Sequence, residues 1–175
     1  MSDTTPRKDQ QSITRDWEST QALIAGVVVK PIKTLEDERG DLVEVYRQDW
    51  GTTSAPVTSV HQVTIRPRKI KGWSMHLKND DRLFVSLGFV RVALFDARAD
   101  SPTRDRLNLL SFSERNRSLI VVPRGVFHAI QNVGQTDAII ISLPTALYDY
   151  EDPDKYRLPL NNALIPFSFD DPPGW

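Results

Sequence analysis

The sequence contains no cysteine among its 175 residues. That removes disulfides, thiolate metal sites and a cysteine nucleophile at once. Histidine is nearly as scarce: His61, His76 and His128 are the whole supply, so imidazole chemistry rests on very few candidates. No run approaches the ~18 consecutive apolar residues of a membrane span. The N-terminal stretch MSDTTPRKDQQSITRDWEST lacks the apolar core of a secretory signal, and the expected location is cytoplasmic. Neither sign of charge is in excess, since 22 Lys+Arg against 23 Asp+Glu give a net charge of −1. A chain so balanced lacks the basic face that duplex binding needs. Neither nucleic acid nor a membrane is an expected partner.

Sustained helical periodicity is also missing. What is present is a succession of short β-branched and aromatic segments, at 26–33, 41–48, 57–66, 70–77, 82–87, 89–96, 105–112, 117–122, 126–133 and 137–143. Gly, Pro, Asp or Asn separates them, as in Asn79-Asp80-Asp81, Gly88 and Pro123-Arg124-Gly125. About ten such strands at 8–12-residue spacing predict an all-β sandwich or barrel. Ile13, Trp17, Thr20 and Ile24 fall near helical spacing and predict a short helix within an N-terminal segment, 1–25. The body is expected over 26–145. The last stretch, 146–175, is rich in proline, acidic and aromatic residues and reads as an extension packed on the body.

His128 lies in Pro123-x-Gly125-x-x-His128-x-x-x-Asn132, a tight turn leading into a strand. This resembles the second signature of the cupin superfamily and implies a jelly-roll, double-stranded β-helix barrel. The first cupin signature supplies two histidines and a glutamate as metal ligands. The matching stretch here keeps His76 but has Lys78 for the second histidine and Asp81-Arg82 near the glutamate. Two imidazoles without a third ligand make a poor metal site, so no metal and no other cofactor is expected.

Three further segments narrow the resemblance. Asp37-Glu38-Arg39-Gly40-Asp41-Leu42-Val43-Glu44 matches the pattern DxRGxxxE, Asp96-Ala97-Arg98 with Ser101-Pro102-Thr103 matches DxRxxSPT, and Leu110 to Arg117 is similar to LSxENxR. Together with the Pro-Gly-His turn, from about residue 26 to 167, the chain resembles the dTDP-4-dehydrorhamnose 3,5-epimerase (RmlC-like) family of metal-independent cupins. That resemblance implies a nucleotide-sugar epimerase or isomerase, a small-molecule nucleotide-sugar partner and a homodimer with strands shared between subunits. It implies His76 as general base and His128, Arg39, Glu44 and Arg82 as substrate-binding residues. Such chemistry removes an acidic proton beside a sugar ketone and returns one on the other face.

The departures from the family pattern are equally specific. The family's arginine three residues before the base is Trp73, and the position of its general-acid tyrosine is Leu147. Tyr148, next in the chain, is the candidate acid if the backbone there is not a regular strand. The family's carboxylate partner for the base comes from the C-terminal part, where Asp170 and Asp171 are the remote candidates. The basic run Arg66-Pro67-Arg68-Lys69-Ile70-Lys71 is either a solvated turn or a diphosphate contact. These departures leave open a non-catalytic cupin that binds a sugar nucleotide or another small ligand, and the two histidines leave open a metal-dependent cupin such as an oxygenase.

Overall fold

The structure is a computed structural model that describes residues 8–52 and 55–169. Its strands, in chain order, are β1 (Val28–Pro31), β2 (Thr34–Asp37), β3 (Gly40–Val43), β4 (His61–Ile65), β5 (Ile70–Met75), β6 (Asp81–Leu87), β7 (Phe89–Asp96), β8 (Leu107–Ser113), β9 (Ser118–Val122), β10 (Val126–Asn132), β11 (Ala138–Ser142) and β12 (Tyr156–Arg157). One five-stranded sheet runs β1-β9-β6-β11-β4, the other β12-β5-β10-β7-β8, and β2-β3 form a separate hairpin. All pairings are antiparallel.

The all-β, cupin-like arrangement agrees with expectation, but the closed jelly-roll barrel does not. Among the described residues no ladder joins one five-stranded sheet to the other, and β1, β4, β8 and β12 end them as edges. The cause lies in the connections. Most successive strands cross from one sheet to the other at tight turns, so they meet face to face through side chains instead of edge to edge through the backbone. Gly88, between β6 and β7, is one such corner. Its φ is 88°, and a Cβ there would sit 2.7 Å from the Cα of Ala138.

Alternation along the strands builds three apolar layers. On β7, Val90, Val92 and Leu94 enter the space between the sheets and meet Leu83, Val85, Ile120 and Ile140. Ala93 and Phe95 point the opposite way, into a second layer where Trp73, Phe127 and Ala129 are covered by Leu158, Ile165, Phe167 and Phe169 of the extension. On the far side, Phe84 and Leu119 pack under Ile32, Val45, Tyr46 and Trp50. Because both faces of each sheet are covered, the central strands read as continuous apolar runs.

The short helix expected within residues 1–25 is not formed by the described part of that segment. Trp17 has φ 63° and is 85% exposed, and Ile13 makes an isolated bridge to Ser19. The apolar residues find no core to bury against until Leu23 and Ile24, the second 1% exposed and held through its N–H by the Asn108 side chain at 2.9 Å. Tertiary contact therefore overrides the helical spacing.

The DxRxxSPT segment has a structural task. Buried Asp96 accepts hydrogen bonds from Arg98 Nε at 2.8 Å and Thr103 Oγ1 at 2.7 Å, and Arg98 Nη2 reaches the carbonyl of Ala25 at 2.7 Å. Burial would raise the Asp96 pKa, but the bonds from Arg98, Ser101 and Thr103 outweigh it and hold the carboxyl well below its usual range. A depressed carboxylate contributes stability that is full above the unfolded value of about 4 and fades as pH falls towards the folded value. Asp96→Asn is expected to lower the melting temperature clearly at pH 6–7, with the difference from wild type narrowing progressively as pH falls below about 4. A gap in melting temperature independent of pH contradicts this account.

Candidate active site

The described residues enclose a cavity of about 410 Å³ at one end of the two sheets. Its floor is made where β5, β6 and β10 bring one titratable residue each. His76 follows β5, Asp81 opens β6 and His128 lies in the middle of β10. Asp81 Oδ2 is 3.4 Å from His76 Nε2 and 3.2 Å from His128 Nε2, and the two rings stack at 5.7 Å between centroids. Asp81 is 9% exposed and His128 8%.

Supporting contacts fix all three parts. His76 Nδ1 bonds the backbone carbonyl of Asp154, and the Asp154 carboxylate accepts the N–H groups of Leu77 and Lys78 at 2.8 Å each. The acidic stretch thereby ties the extension to His76. Asn79 Nδ2 donates to Asp81 Oδ1 at 3.1 Å, while Asn79 Oδ1 accepts the N–H of Thr145 and Ala146. Burial alone would lower the His76 pKa, but the bond and charge of Asp81, aided by Asp154, raise it above its ordinary value. Burial alone would raise the Asp81 pKa, and His128 and His76 instead hold it far below the usual carboxylate range.

The walls carry cations and an aromatic. Lys71 of β5 lines the cavity with Ser74 and His76. Strict alternation places Lys71 on the opposite face from Ser74. A bulge reverses this: Ser74 pairs with His128 but Lys71 with Ile130, so two residues of β5 oppose one of β10. Gly72 makes the bulge possible, with φ 142° and no room for a Cβ, which would lie 2.4 Å from the Ala129 Cβ. Of the basic run at 66–71, Lys71 is the member that lines the cavity. Lys155 enters from the extension, and its pKa is lowered by burial first and then by Arg157 and Lys71. Tyr148 is also on the wall, half exposed and edge-on to Tyr150 at 5.0 Å. The backbone there is irregular, which lets both Leu147 and Tyr148 face the cavity.

His76, His128 and Tyr148 line one cavity, whereas the other expected residues do not. Arg82 is fully buried and faces away from the cavity, because alternation on β6 sends Asp81 and Leu83 inward and Arg82 and Phe84 outward. Its guanidinium donates to the carbonyls of Leu143 (2.8 Å), Ala55 (3.1 Å), Pro56 (2.7 Å) and Pro144 (3.3 Å), and it lies over the Tyr46 ring. Arg82→Met is therefore expected to cost about 2–3 kcal/mol of stability and leave substrate KM unchanged. Thermal denaturation beside steady-state kinetics checks both halves.

Arg39 sits on the β2–β3 hairpin, paired with Asp37 and 84% exposed, and Glu44 follows that hairpin 3.6 Å from Arg47. Within one chain neither lines the cavity. Trp73 is completely buried against Phe167 and Phe169, on the face of β5 away from the histidines. Asp170 and Asp171 lie outside the described residues, and the carboxylate beside His76 is Asp81. The sequence reading names Asp81 only as standing near an absent metal ligand and Lys71 only within the basic run, and it passes over Asn79 and Lys155. Asp81 had a legible signal, since it shares the parity of the core residues Leu83 and Val85. Lys155 had none.

The family model for dTDP-4-dehydrorhamnose 3,5-epimerase matches residues 21–165. The chain is 36% identical over 138 residues to the "Probable low-salt glycan biosynthesis epimerase Agl13" of Haloferax volcanii, covering 78% of this chain and 88% of that one. It is 31% identical over 148 residues to the spore coat polysaccharide biosynthesis protein SpsL of Bacillus subtilis, covering 85% and 97%. In fold it is similar to a dTDP sugar isomerase from Desulfovibrio desulfuricans, with a TM-score of 0.77, 24% identity, and coverage of 83% and 91%. The match spans both sheets, the three residues of the cavity floor and most of the extension, and the chain belongs to the dTDP-4-dehydrorhamnose 3,5-epimerase family.

Proposed function

We propose that this protein epimerises a nucleotide-linked 4-keto-6-deoxy sugar at a carbon next to the ketone, with His76 as the base. The observation that carries the reading is the His76–Asp81–His128 cluster on the floor of a cavity large enough for a hexose. His76 Nδ1 is engaged by the Asp154 carbonyl, which leaves Nε2 to take the carbon-bound proton. The imidazolium formed then sits 3.4 Å from the Asp81 carboxylate, where its charge is balanced. The electron pair of the broken C–H bond moves onto the ketone oxygen. Lys71, Lys155 and His128 line the same cavity and supply positive or N–H groups for that enolate. The phenol of Tyr148 is the proton donor for the opposite face, which inverts the carbon.

Deuterium exchange tests this directly. With dTDP-4-keto-6-deoxyglucose in D₂O, mass spectrometry is expected to find enzyme-dependent label at C3 or C5. Tight binding of that nucleotide sugar without any label above the buffer control overturns the base chemistry and leaves a binding protein.

The same proposal keeps the homodimer. Leu35 and Leu42 form a cross-strand pair on the hairpin and are 67% and 68% exposed, and Arg39 and Glu44 lie beside them. A second copy is where these residues would meet a cavity. Sedimentation as a monomer at micromolar concentration removes Arg39 and Glu44 from the site.

A further inference from the structure

The third histidine has no part in the chemistry assigned above, yet it lines the same cavity as the other two. His61 opens β4, the edge strand of the first sheet, whereas His76 follows β5 and His128 lies on β10 in the second. A sugar held between the sheets therefore meets His61 on the wall opposite the other two histidines. We propose that His61, with Ser142 beside it, binds the C2 hydroxyl of the sugar and so sets how the ring lies over His76. The proposal rests on the reading of the substrate as a nucleotide-linked 4-keto-6-deoxy hexose.

Strand register is the first argument. β4 and β11 pair His61 with Ser142, Val63 with Ile140 and Ile65 with Ala138. Side chains two apart on a strand share a face, and both members of the first two pairs line the cavity. The wall is graded in depth. Ile65 and Ala138 are core residues at 2% and 0% exposure, Ile140 is 1% exposed, and His61 is open to solvent. From the inner end to the rim, an apolar pair gives way to a polar pair in one step of two residues, about 6.7 Å.

Desolvation then orients the ring. Val63 and Ile140, joined by Leu83 and Ile130, offer no polar side chain at the inner end. A hydroxyl lodged there loses its water without gaining a partner, and the C6 methyl does not. In a pyranose the carbon that bears C6 stands across the ring from C2. With the methyl inward, the C2 hydroxyl comes to the polar pair at the rim. C1, next to it, then carries the nucleotide out of the cavity.

Hydrogen-bond accounting is the third argument. Among the described residues, neither the His61 imidazole nor the Ser142 hydroxyl is engaged by another side chain or by the backbone. Both groups donate and accept, as a sugar hydroxyl does. His76 and His128 are instead committed to Asp81.

The test is a binding cycle with ligands that carry no ketone and so do not turn over. dTDP-6-deoxyglucose, and the same compound without its C2 hydroxyl, are titrated by calorimetry into the full chain and into His61→Ala. Loss of the hydroxyl should weaken binding to wild type about 3–10-fold, the effect of one hydrogen bond. The two ligands should bind His61→Ala alike, and His61→Gln, which keeps a donor and an acceptor, should recover part of the discrimination. dTDP-glucose, with a hydroxyl on C6, should bind wild type about 10-fold more weakly than the 6-deoxy ligand. In deuterium exchange His61→Ala should raise KM with little change in kcat. Because His61 is exposed at the start of an edge strand, both variants should keep the fold, which circular dichroism checks. Equal discrimination by wild type and His61→Ala overturns the contact. dTDP-glucose bound as tightly as the 6-deoxy ligand overturns the orientation. A fall in exchange kcat of about 10²-fold with KM unchanged overturns the binding role and makes His61 a proton-transfer group. Discrimination by a wild type that exchanges no label defeats the base chemistry and leaves the His61 contact standing.

Discussion

His76→Ala is expected to lower deuterium exchange into a 4-keto-6-deoxy nucleotide sugar by about 10²–10⁴-fold. The thermal midpoint should move little by comparison, because His76 stands at the cavity and outside the three apolar layers. Water held in the same place is a far weaker base than a neutral imidazole, so it does not replace the lost side chain. His128→Ala keeps His76 and Asp81 but removes one support of that carboxylate, so its loss of rate should be smaller and its effect on KM larger. The two variants together separate chemistry from positioning. Undiminished exchange in His76→Ala ends the assignment, and a larger rate loss in His128→Ala exchanges the roles of the two histidines.

A second large effect is expected at Trp73, where the family pattern has arginine. Trp73→Arg, which restores the family residue, should not restore a substrate contact. The side chain is fully buried between Phe167 and Phe169, whose ring centroids lie 6.4 and 5.5 Å away. Truncating such a residue costs about 3–5 kcal/mol, and an unpaired charge in the same layer costs more. Against a total stability of about 5–15 kcal/mol, Trp73→Arg should fold poorly or melt far below wild type, and Trp73→Phe should be the milder change. Calorimetry on both variants measures this. A Trp73→Arg protein that melts like wild type and binds nucleotide more tightly would place the residue on the cavity side.

Much of the fold was legible because antiparallel strands with covered faces leave a plain record of alternation and turns. The ten strand segments from residue 26 to 143 all contribute to sheets or to the hairpin, though 26–33 and 41–48 begin or end within loops. Barrel closure was not legible, because edge pairing between sheets depends on where the connections cross and not on the residues within a strand. In the site, His76 and His128 were legible from their motifs. The step from Arg82 to Asp81 was a matter of one residue, which on a strand reverses the face. Lys71 was hidden by the bulge at Gly72, which shifts parity without any signal in side-chain type. Lys155 and the Asp154 carbonyl reach the site from an extension whose path follows tertiary packing and leaves no periodic trace.

That extension also sets an order of events during synthesis. The carbonyl that orients His76 belongs to Asp154, 78 residues further along the chain, and the aromatic residues that cover Trp73 come later still. Both sheets, apart from the two-residue strand β12, are complete by Ser142. Since chains emerge from the ribosome N-terminus first, the strands can pair before the residues that hold His76 have been made. Premature termination near residue 150 would then yield a nascent product with paired sheets, an uncovered aromatic layer and a His76 without its Asp154 contact: a species for quality control to remove.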